Sequence, residues 1–144
     1  MPKLNGIYGF LVFFVGTAVW ASDNLEIESR KFTLGDHIET IIRFPARHLS
    51  LSASCRRPQE KLACDAYREY QKLKTGTLPD FKSDDHNSSA NRGALICKLI
   101  LHRNVLIAVS EEQNESSFCQ FKDGSWLGTG SIAYAFSPKH GDPI

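Results

Sequence analysis

The stretch "VLIAVSEEQNESSFCQFKDGSW" (residues 105–126) combines two apolar segments with two turn segments. "VLIAVS" (105–110) and "SFCQFK" (117–122) have the composition of β-strands, and the polar segment "EEQNES" lies between them. Asp123-Gly124 follows at once, and glycine tolerates the positive φ that a tight hairpin turn requires. The sequence therefore predicts an antiparallel hairpin that is followed directly by a second turn.

The segments on either side of this hairpin are also apolar. Residues 94–101 ("ALICKLIL") fit either a short buried helix or a buried strand. After the hairpin, the glycine pair in "GTG" (128–130) predicts a bulge or turn between strands. The aromatic side chains of this last part either pack across strands or form an exposed patch for a ligand. The candidate patch consists of Trp126, Tyr134 and Phe136.

The N-terminal half predicts strands followed by one longer helix. Residues 31–54 alternate partly between apolar and polar positions, which is typical of β-strands. Residues 58–74 ("PQEKLACDAYREYQKLK") predict a helix that has Pro58 in its first turn and ends before Gly76. The apolar face of this helix consists of Leu62, Ala66, Tyr70 and Leu73.

Residues 1–21 have the layout of a secretory signal peptide. Lys3 gives a short positive start, "IYGFLVFFVGTAVWA" (7–21) is apolar, and the small residues Val19 and Ala21 precede the expected cleavage point. A transmembrane helix needs about 20 apolar residues, and this segment is shorter. We therefore expect cleavage after Ala21, export to the periplasm or beyond, and no stable membrane insertion afterwards.

The cysteines of the exported chain are Cys55, Cys64, Cys97 and Cys119. An even number of cysteines in an exported chain indicates disulfides, and four cysteines allow three connectivities. We favour Cys55–Cys64 with Cys97–Cys119, because each pair then lies within one half of the chain. Zinc ligands usually occur in closely spaced pairs such as C-x2-C, and the sequence has none. It therefore predicts neither a metal site nor a cofactor.

The net charge of the chain restricts its partners. It has 17 basic and 16 acidic residues, and removal of Lys3 with the signal peptide leaves equal numbers and a formal charge of zero. That balance favours neither nucleic acid nor an anionic membrane surface as a partner.

The expected regions are a signal peptide (1–21), an N-terminal strand and helix region (22–76), a polar connector (77–90), a C-terminal disulfide-linked subdomain (91–137) and a tail (138–144).

Residues 91–136 contain a recognisable order of motifs. Asn91 opens a short apolar segment that ends in Cys97, a strand follows, and "CQFKDGS" (119–125) comes next. This order resembles a family of small exported bacterial domains of unknown function, whose members are often labelled as candidate haemolysins. The family pattern is Asn-Pro-Ala, a short helix ending in Cys, a strand, Cys-x-Phe-x-Asp-Gly-Ser and a Trp-containing segment. Ala133–Phe136 corresponds to that closing segment.

The resemblance implies more about fold than about activity. It favours a helix over 94–101, it supports the Cys97–Cys119 pairing, and it brings no catalytic residues with it. Together with the patterns above, it leads us to expect an α+β fold. That fold would have a small antiparallel sheet, one longer helix and one short helix, crosslinked by two disulfides.

Few residues predict catalysis. The sequence contains no G-x-S-x-G elbow, H-E-x-x-H helix or phosphate-binding glycine loop. Asp84-Asp85-His86 places carboxylates beside an imidazole, but a base and its orienting group need spatial rather than sequential adjacency. We therefore predict no enzyme activity and no catalytic residues. A small secreted hydrolase that uses His86 with Asp84 or Asp85 is the alternative.

The leading hypothesis is an exported, disulfide-stabilised, non-enzymatic module with a binding or structural role. Its partner would be an unidentified protein or a ligand of the cell envelope. The family label suggests a membrane-active, haemolysin-like protein as a further alternative. That alternative is less favoured, because the chain after residue 21 has neither a basic amphipathic helix nor a long apolar segment.

Overall fold

The structure of the protein is a computed structural model that describes residues 26–76 and 92–136. The expected signal peptide, connector and tail lie outside the described residues. The strands are β1 (Glu28–Leu34), β2 (His37–Phe44), β3 (Leu49–Ser52), β4 (Asn104–Ser110), β5 (Glu115–Gln120) and β6 (Trp126–Gly128). Each is antiparallel to its neighbours. Their order is β1-β2-β3-β6-β5-β4, and the sheet closes into a barrel.

This barrel shows that the expected α+β fold class is wrong. The sequence predicted a small sheet beside one longer and one short helix, whereas the described strands form one closed antiparallel barrel. The helices that pack on it are α1 (Asp65–Lys74), α2 (Arg92–Leu95) and α3 (Thr129–Ala135). Among the helices of residues 26–76 and 92–136, none has both the length and the apolar character needed to cross a membrane.

Two hairpins build most of the barrel wall. β1 and β2 pair along the whole of β1, and Gly35 occupies their turn with a φ of 58°. β4 and β5 pair from Asn104 to Val109, which confirms the hairpin predicted from the sequence. Gly124, with a φ of 83°, forms the turn before β6 and donates its N–H to the Phe121 carbonyl at 3.0 Å. The predicted Asp-Gly turn is therefore also confirmed.

Two short pairings close the barrel. β3 pairs with β6 at Leu51↔Leu127, and β1 pairs with β4 at Phe32↔Ser110 and at the next position along β1. Each of these contacts joins residues that are far apart in the sequence, so local patterns do not reveal them. The N-terminal region and the C-terminal subdomain expected from the sequence both contribute strands to this one barrel.

Apolar side chains pack on both faces of the barrel wall, because successive residues of a strand point to opposite faces. The interior cluster consists of Phe32, Ile41, Ala108, Phe118 and Trp126. The larger cluster lies between the outer face and the helices, and it includes Leu51, Ala66, Tyr70, Leu73, Ile96 and Leu127. The helices therefore cover one side of the barrel, and the aromatic cluster fills its interior.

The helix predicted over 58–74 begins later than expected, at Asp65. The residues before it form a loop that is held by its own bonds. The Ala63 N–H donates to the Cys55 carbonyl at 2.9 Å, and a disulfide joins Cys55 to Cys64. Gln59 and Glu60 have φ values of 65° and 59°, outside the helical region, and Arg56 pairs with Leu62 across the loop, so the loop does not continue the helix. The predicted apolar face is confirmed where the helix does form, since its buried residues are Ala66, Tyr70 and Leu73.

Both disulfides have the pairing predicted from the sequence, Cys55–Cys64 and Cys97–Cys119. The second joins β5 to the helical segment that starts with α2 and continues as a π-helical turn over Ile96–Ile100. The helical conformation expected for 94–101 is thus confirmed. All four cysteines are bonded, and no free thiol occurs in the described part of the chain.

The segment after β6 differs from its expected structure. The "GTG" glycine pair predicted a bulge or turn between strands, but β6 ends at Gly128 and α3 begins at Thr129. α3 packs so closely on α2 that a Cβ at Gly93 would lie 1.7 Å from the Thr129 carbonyl oxygen. A helix therefore follows β6, and the glycine of α2 permits its close approach.

Candidate functional site

The Asp123-Gly-Ser motif of the hairpin turn lies against the N-terminus of α1. The Asp65 N–H donates to the Asp123 carboxylate at 2.8 Å, and the Ala66 N–H donates to the Ser125 hydroxyl at 3.1 Å. The first N–H groups of a helix have no partner within the helix, and a carboxylate there faces the positive end of the helix dipole. The motif therefore joins the turn to α1, and its polar groups have a structural role.

The protonation of Asp123 reflects these bonds. Burial acts to raise the pKa of its carboxyl group, but hydrogen bonds from the Asp65 N–H and from Ser125 act in the opposite direction. The nearby positive charge of Arg68 also lowers it. The pKa of Asp123 is consequently below its usual value, and the carboxylate stays charged near neutral pH.

The residues of the candidate aromatic patch occupy different environments. Trp126 is only 1% exposed and belongs to the interior cluster, so it is not part of an exposed surface. Tyr134 is 51% exposed and stacks on His48 with ring centroids 4.0 Å apart. Phe136 is partly buried on the outer cluster, with the Arg92 guanidinium 5.7 Å from its ring centroid.

The hydrolase alternative relies on Asp84, Asp85 and His86, which lie outside the described residues. In the described part, the exposed His37 has the largely buried carboxylate of Glu39 as its neighbour, 3.2 Å away. Within residues 26–76 and 92–136, no three His, Cys, Asp or Glu side chains are grouped so as to hold a metal ion.

An open cleft of about 800 Å³ lies at one end of the barrel. Its lining comes from the ends of β2 and β6 and the starts of β3 and β5, which meet at the same end of an antiparallel sheet. We call it the mouth cleft. Its floor includes Phe32, Ile41 and Phe118 of the interior cluster. Its rim includes Arg30, Arg43, Glu115, Ser116, Gly130 and Tyr134.

The alternation of β1 and β2 explains why arginines line this cleft. Arg30 lies two residues from Phe32 on β1, so both point to the interior face of the wall. Arg43 has the same relation to Ile41 on β2, and Ile41 is the cross-strand partner of Arg30. Towards the mouth, the interior side chains of this hairpin therefore change from apolar residues to arginines.

Glu28 holds the two arginines near each other. Its Oε2 atom lies 3.8 Å from Arg30 Nη2 and 3.5 Å from Arg43 Nη1. This oxygen is shielded from solvent and forms no hydrogen bond with the described residues, so the attraction is that of an ion pair. The arginine side chains remain 45% and 47% exposed, which leaves guanidinium N–H groups accessible from the cleft.

Hydrogen bonds fix the opposite side of the mouth cleft. The Ser50 N–H donates to the Ser131 hydroxyl at 2.9 Å, which ties α3 to the start of β3. The hydroxyl groups of Ser117 and Thr129 lie 2.6 Å apart and tie α3 to β5. Gly130 also lines the cleft, and a Cβ there would meet no atom within 4 Å, so this position has room for a side chain.

The sequence predictions did not include Arg30, Arg43 or the mouth cleft. One signal was available in the sequence. Arg30 lies two residues before Phe32 and Arg43 two residues after Ile41, so each arginine is on the same strand face as a buried residue, where an apolar side chain is expected. That signal becomes interpretable only when the register of β1 and β2 is known. The start of α3, which completes the rim, was predicted as a bulge or turn.

Comparisons with known proteins gave no relatives for this fold and site. No family model matches the chain. No curated protein matches its sequence, and no solved structure matches its fold.

Proposed function

We propose that the protein is an exported, disulfide-stabilised, non-enzymatic binding module whose ligand occupies the mouth cleft. The observation that carries this proposal is the cleft itself, which opens at one end of a barrel with a packed interior. Its volume of about 800 Å³ lies within the range of about 300–1,000 Å³ that is usual for small-molecule sites.

The mouth cleft also has the composition of a binding site. Ligand sites combine apolar lining with a few polar groups that set orientation. Here Phe32, Ile41 and Phe118 contribute to the floor, and guanidinium, carboxylate and hydroxyl groups lie on the rim. The floor residues are at most 6% exposed and pack against one another. A ligand would therefore enter a preformed site and need little rearrangement of the protein.

The location outside the cytoplasm is part of the proposal. Disulfides persist mainly in oxidising compartments, and this chain has two. The expected signal peptide and the balanced charge of the chain after residue 21 agree with a protein of the periplasm or of the exterior. The ligand would then be a component of the envelope or its surroundings.

A blocked cleft provides the test. Gly130→Trp would fill the mouth cleft with a side chain, whereas Gln71→Trp would place the same side chain on the exposed part of α1. Each oxidised protein is incubated with the small-molecule fraction of a bacterial envelope extract and studied by native mass spectrometry. We expect a discrete non-covalent adduct on the wild type and on Gln71→Trp that is lost in Gly130→Trp. An adduct that persists in folded Gly130→Trp would contradict the proposal, as would no adduct on any variant.

A further inference from the structure

We propose that the mouth cleft selects organic anions, namely small carboxylates with an apolar body, and that Arg30 and Arg43 recognise the carboxylate. This inference rests on the proposed function and adds the chemical class of the ligand. It follows from the placement of two guanidinium groups at the rim of a partly apolar cleft.

The first argument is geometric. Both guanidinium groups have a nitrogen within 4 Å of the same oxygen, Oε2 of Glu28, so they converge on one part of the rim. At 3.5 and 3.8 Å these contacts are too long to count as good hydrogen bonds, and neither guanidinium has a hydrogen bond to another described residue. A planar guanidinium binds a carboxylate through two parallel N–H groups. Donors of this kind are therefore available on both arginines.

The second argument is that Glu28 keeps the arginines together without using their donors. Two guanidinium groups repel each other, and a carboxylate between them reduces that repulsion. Its Oε2 is buried, so a ligand in the cleft does not contact this oxygen. The arginines are thus held in place while their exposed N–H groups face the cleft and the solvent.

Carboxylates also lie near the rim, and they would favour a cationic ligand instead. Glu115 lines the cleft, and Glu112 in the β4–β5 turn interacts electrostatically with Arg30. Glu112 is fully exposed and hydrogen-bonded to Ser110, so solvent screens much of its effect. Three carboxylates, of Glu28, Glu112 and Glu115, thus surround two guanidinium groups, so the formal charge of this part of the rim is −1. Selection of an anion therefore depends on direct hydrogen bonds from the arginines, and a cationic ligand is the outcome that would contradict it.

The third argument concerns the body of the ligand. Phe32, Ile41 and Phe118 lie below the arginines in the cleft, and Tyr134 forms part of the opposite rim. These floor residues are at most 6% exposed, so the apolar surface open to a ligand is offered by Tyr134, which is 51% exposed, and by the exposed Pro45. An alkyl or aryl group that covers this rim surface removes apolar area from water, which favours binding, whereas an inorganic anion gains nothing from it. The cleft should therefore prefer an anion that carries an apolar group.

Three ligands of equal length separate these possibilities. Hexanoate, hexanamide and hexylamine are titrated into the 15N-labelled, oxidised protein at constant ionic strength, with inorganic phosphate as a fourth probe. We expect hexanoate to shift the amide resonances of the mouth cleft and to bind at least about tenfold more tightly than hexanamide, because charge-assisted hydrogen bonds are the stronger ones. Phosphate should shift these resonances less than hexanoate does. Arg30→Gln and Arg43→Gln should each reduce the preference for hexanoate to less than about threefold, while Arg57→Gln, outside the cleft, should keep it.

Several results would overturn the inference. Hexanamide or hexylamine could bind as tightly as hexanoate, phosphate could match hexanoate, or the preference could survive in both folded arginine variants. If one of these probes binds in the cleft without a preference for the carboxylate, the anion inference fails and the proposed binding function stands. If no probe binds and the envelope adduct is also absent, both fail.

Discussion

At the scale of single residues, some polar side chains have structural roles and others are candidates for binding. Asp123 and Ser125 have oxygens that accept hydrogen bonds from the first turn of α1. Arg30 and Arg43 were not singled out by type, yet they line the mouth cleft. The difference lies in partners: the first pair is fully engaged within the protein, and the second pair keeps exposed donors.

Replacement of Asp123 should show the value of its bond to α1. We expect Asp123→Ala to lower the free energy of unfolding by about 1 kcal/mol at pH 7, because it removes an acceptor from the helix N-terminus. The folded-state pKa of Asp123 is lowered, so its contribution is present above the usual pKa near 4. It is lost as the pH falls through the lower folded value. Urea unfolding at several pH values measures this difference.

Asp123→Asn is the matched control. An amide keeps one acceptor oxygen but no charge, so this variant should keep part of the stability and lose the pH dependence that Asp123 contributes. If the wild type and Asp123→Ala differ equally at pH 3 and pH 7, the charge of Asp123 does not contribute to folding.

Gly93 should tolerate no side chain. Gly93→Ala would place a Cβ 1.7 Å from the Thr129 carbonyl oxygen, which is backbone and cannot rotate away. We expect a loss of about 3 kcal/mol in the free energy of unfolding, at the upper end for overpacking. Gly130→Ala, which meets open space in α3, should instead stabilise by about 0.5–1 kcal/mol. Equal effects of the two substitutions in urea unfolding would show that α2 and α3 are not in close contact.

At the scale of elements, the short helices depend on what they are attached to. α1 has its first N–H groups bonded to the β5–β6 turn. The segment after α2 is bonded covalently to β5 through Cys97–Cys119. Helices of this length are marginal when isolated in water. Each of these two therefore persists because a strand or turn of the barrel supplies a fixed partner.

Removal of the disulfides should reveal this dependence in a graded way. The chain-entropy relation gives about 3.4 kcal/mol for a closed loop the length of Cys97–Cys119 and about 2.6 kcal/mol for that of Cys55–Cys64, whose sequence separations are 22 and 9. We expect the double alanine variants to lose stability in that order in urea unfolding. In hydrogen exchange, the variant without Cys97–Cys119 should lose protection over 92–101. The variant without Cys55–Cys64 should lose protection at the start of α1. A larger loss from Cys55–Cys64 would contradict this order.

At the scale of the whole molecule, barrel closure is the property that the sequence conceals. The hairpin of β4 and β5, the Asp-Gly turn and both disulfides follow from local patterns, because each involves neighbours or a cysteine count. Closure depends instead on contacts such as Leu51↔Leu127, which no local periodicity encodes. The mouth cleft has the same origin, since Arg30 and Ser116 become neighbours of one cavity only when the sheet closes.

The closing pairings should open before the hairpins do. β1 and β4 are joined at only two positions and β3 and β6 at one, whereas β1 pairs with β2 along its whole length. Elements with few contacts open at lower free energy than the global unfolding of the protein. Native-state hydrogen exchange should therefore show faster exchange for amides bonded across β1–β4 than for those within β1–β2. A single common exchange free energy for both would contradict this expectation.

The pairing of the cysteines has a consequence for protease digestion. Each disulfide lies within one half of the barrel, Cys55–Cys64 before residue 76 and Cys97–Cys119 after residue 92. A protease cut between these two positions would leave two polypeptides with no covalent bond between them. The short pairings that close the barrel and the packing of α1 against the β5–β6 turn would then hold them together. Survival of the nicked barrel would become a bimolecular equilibrium, so its melting temperature should fall on dilution.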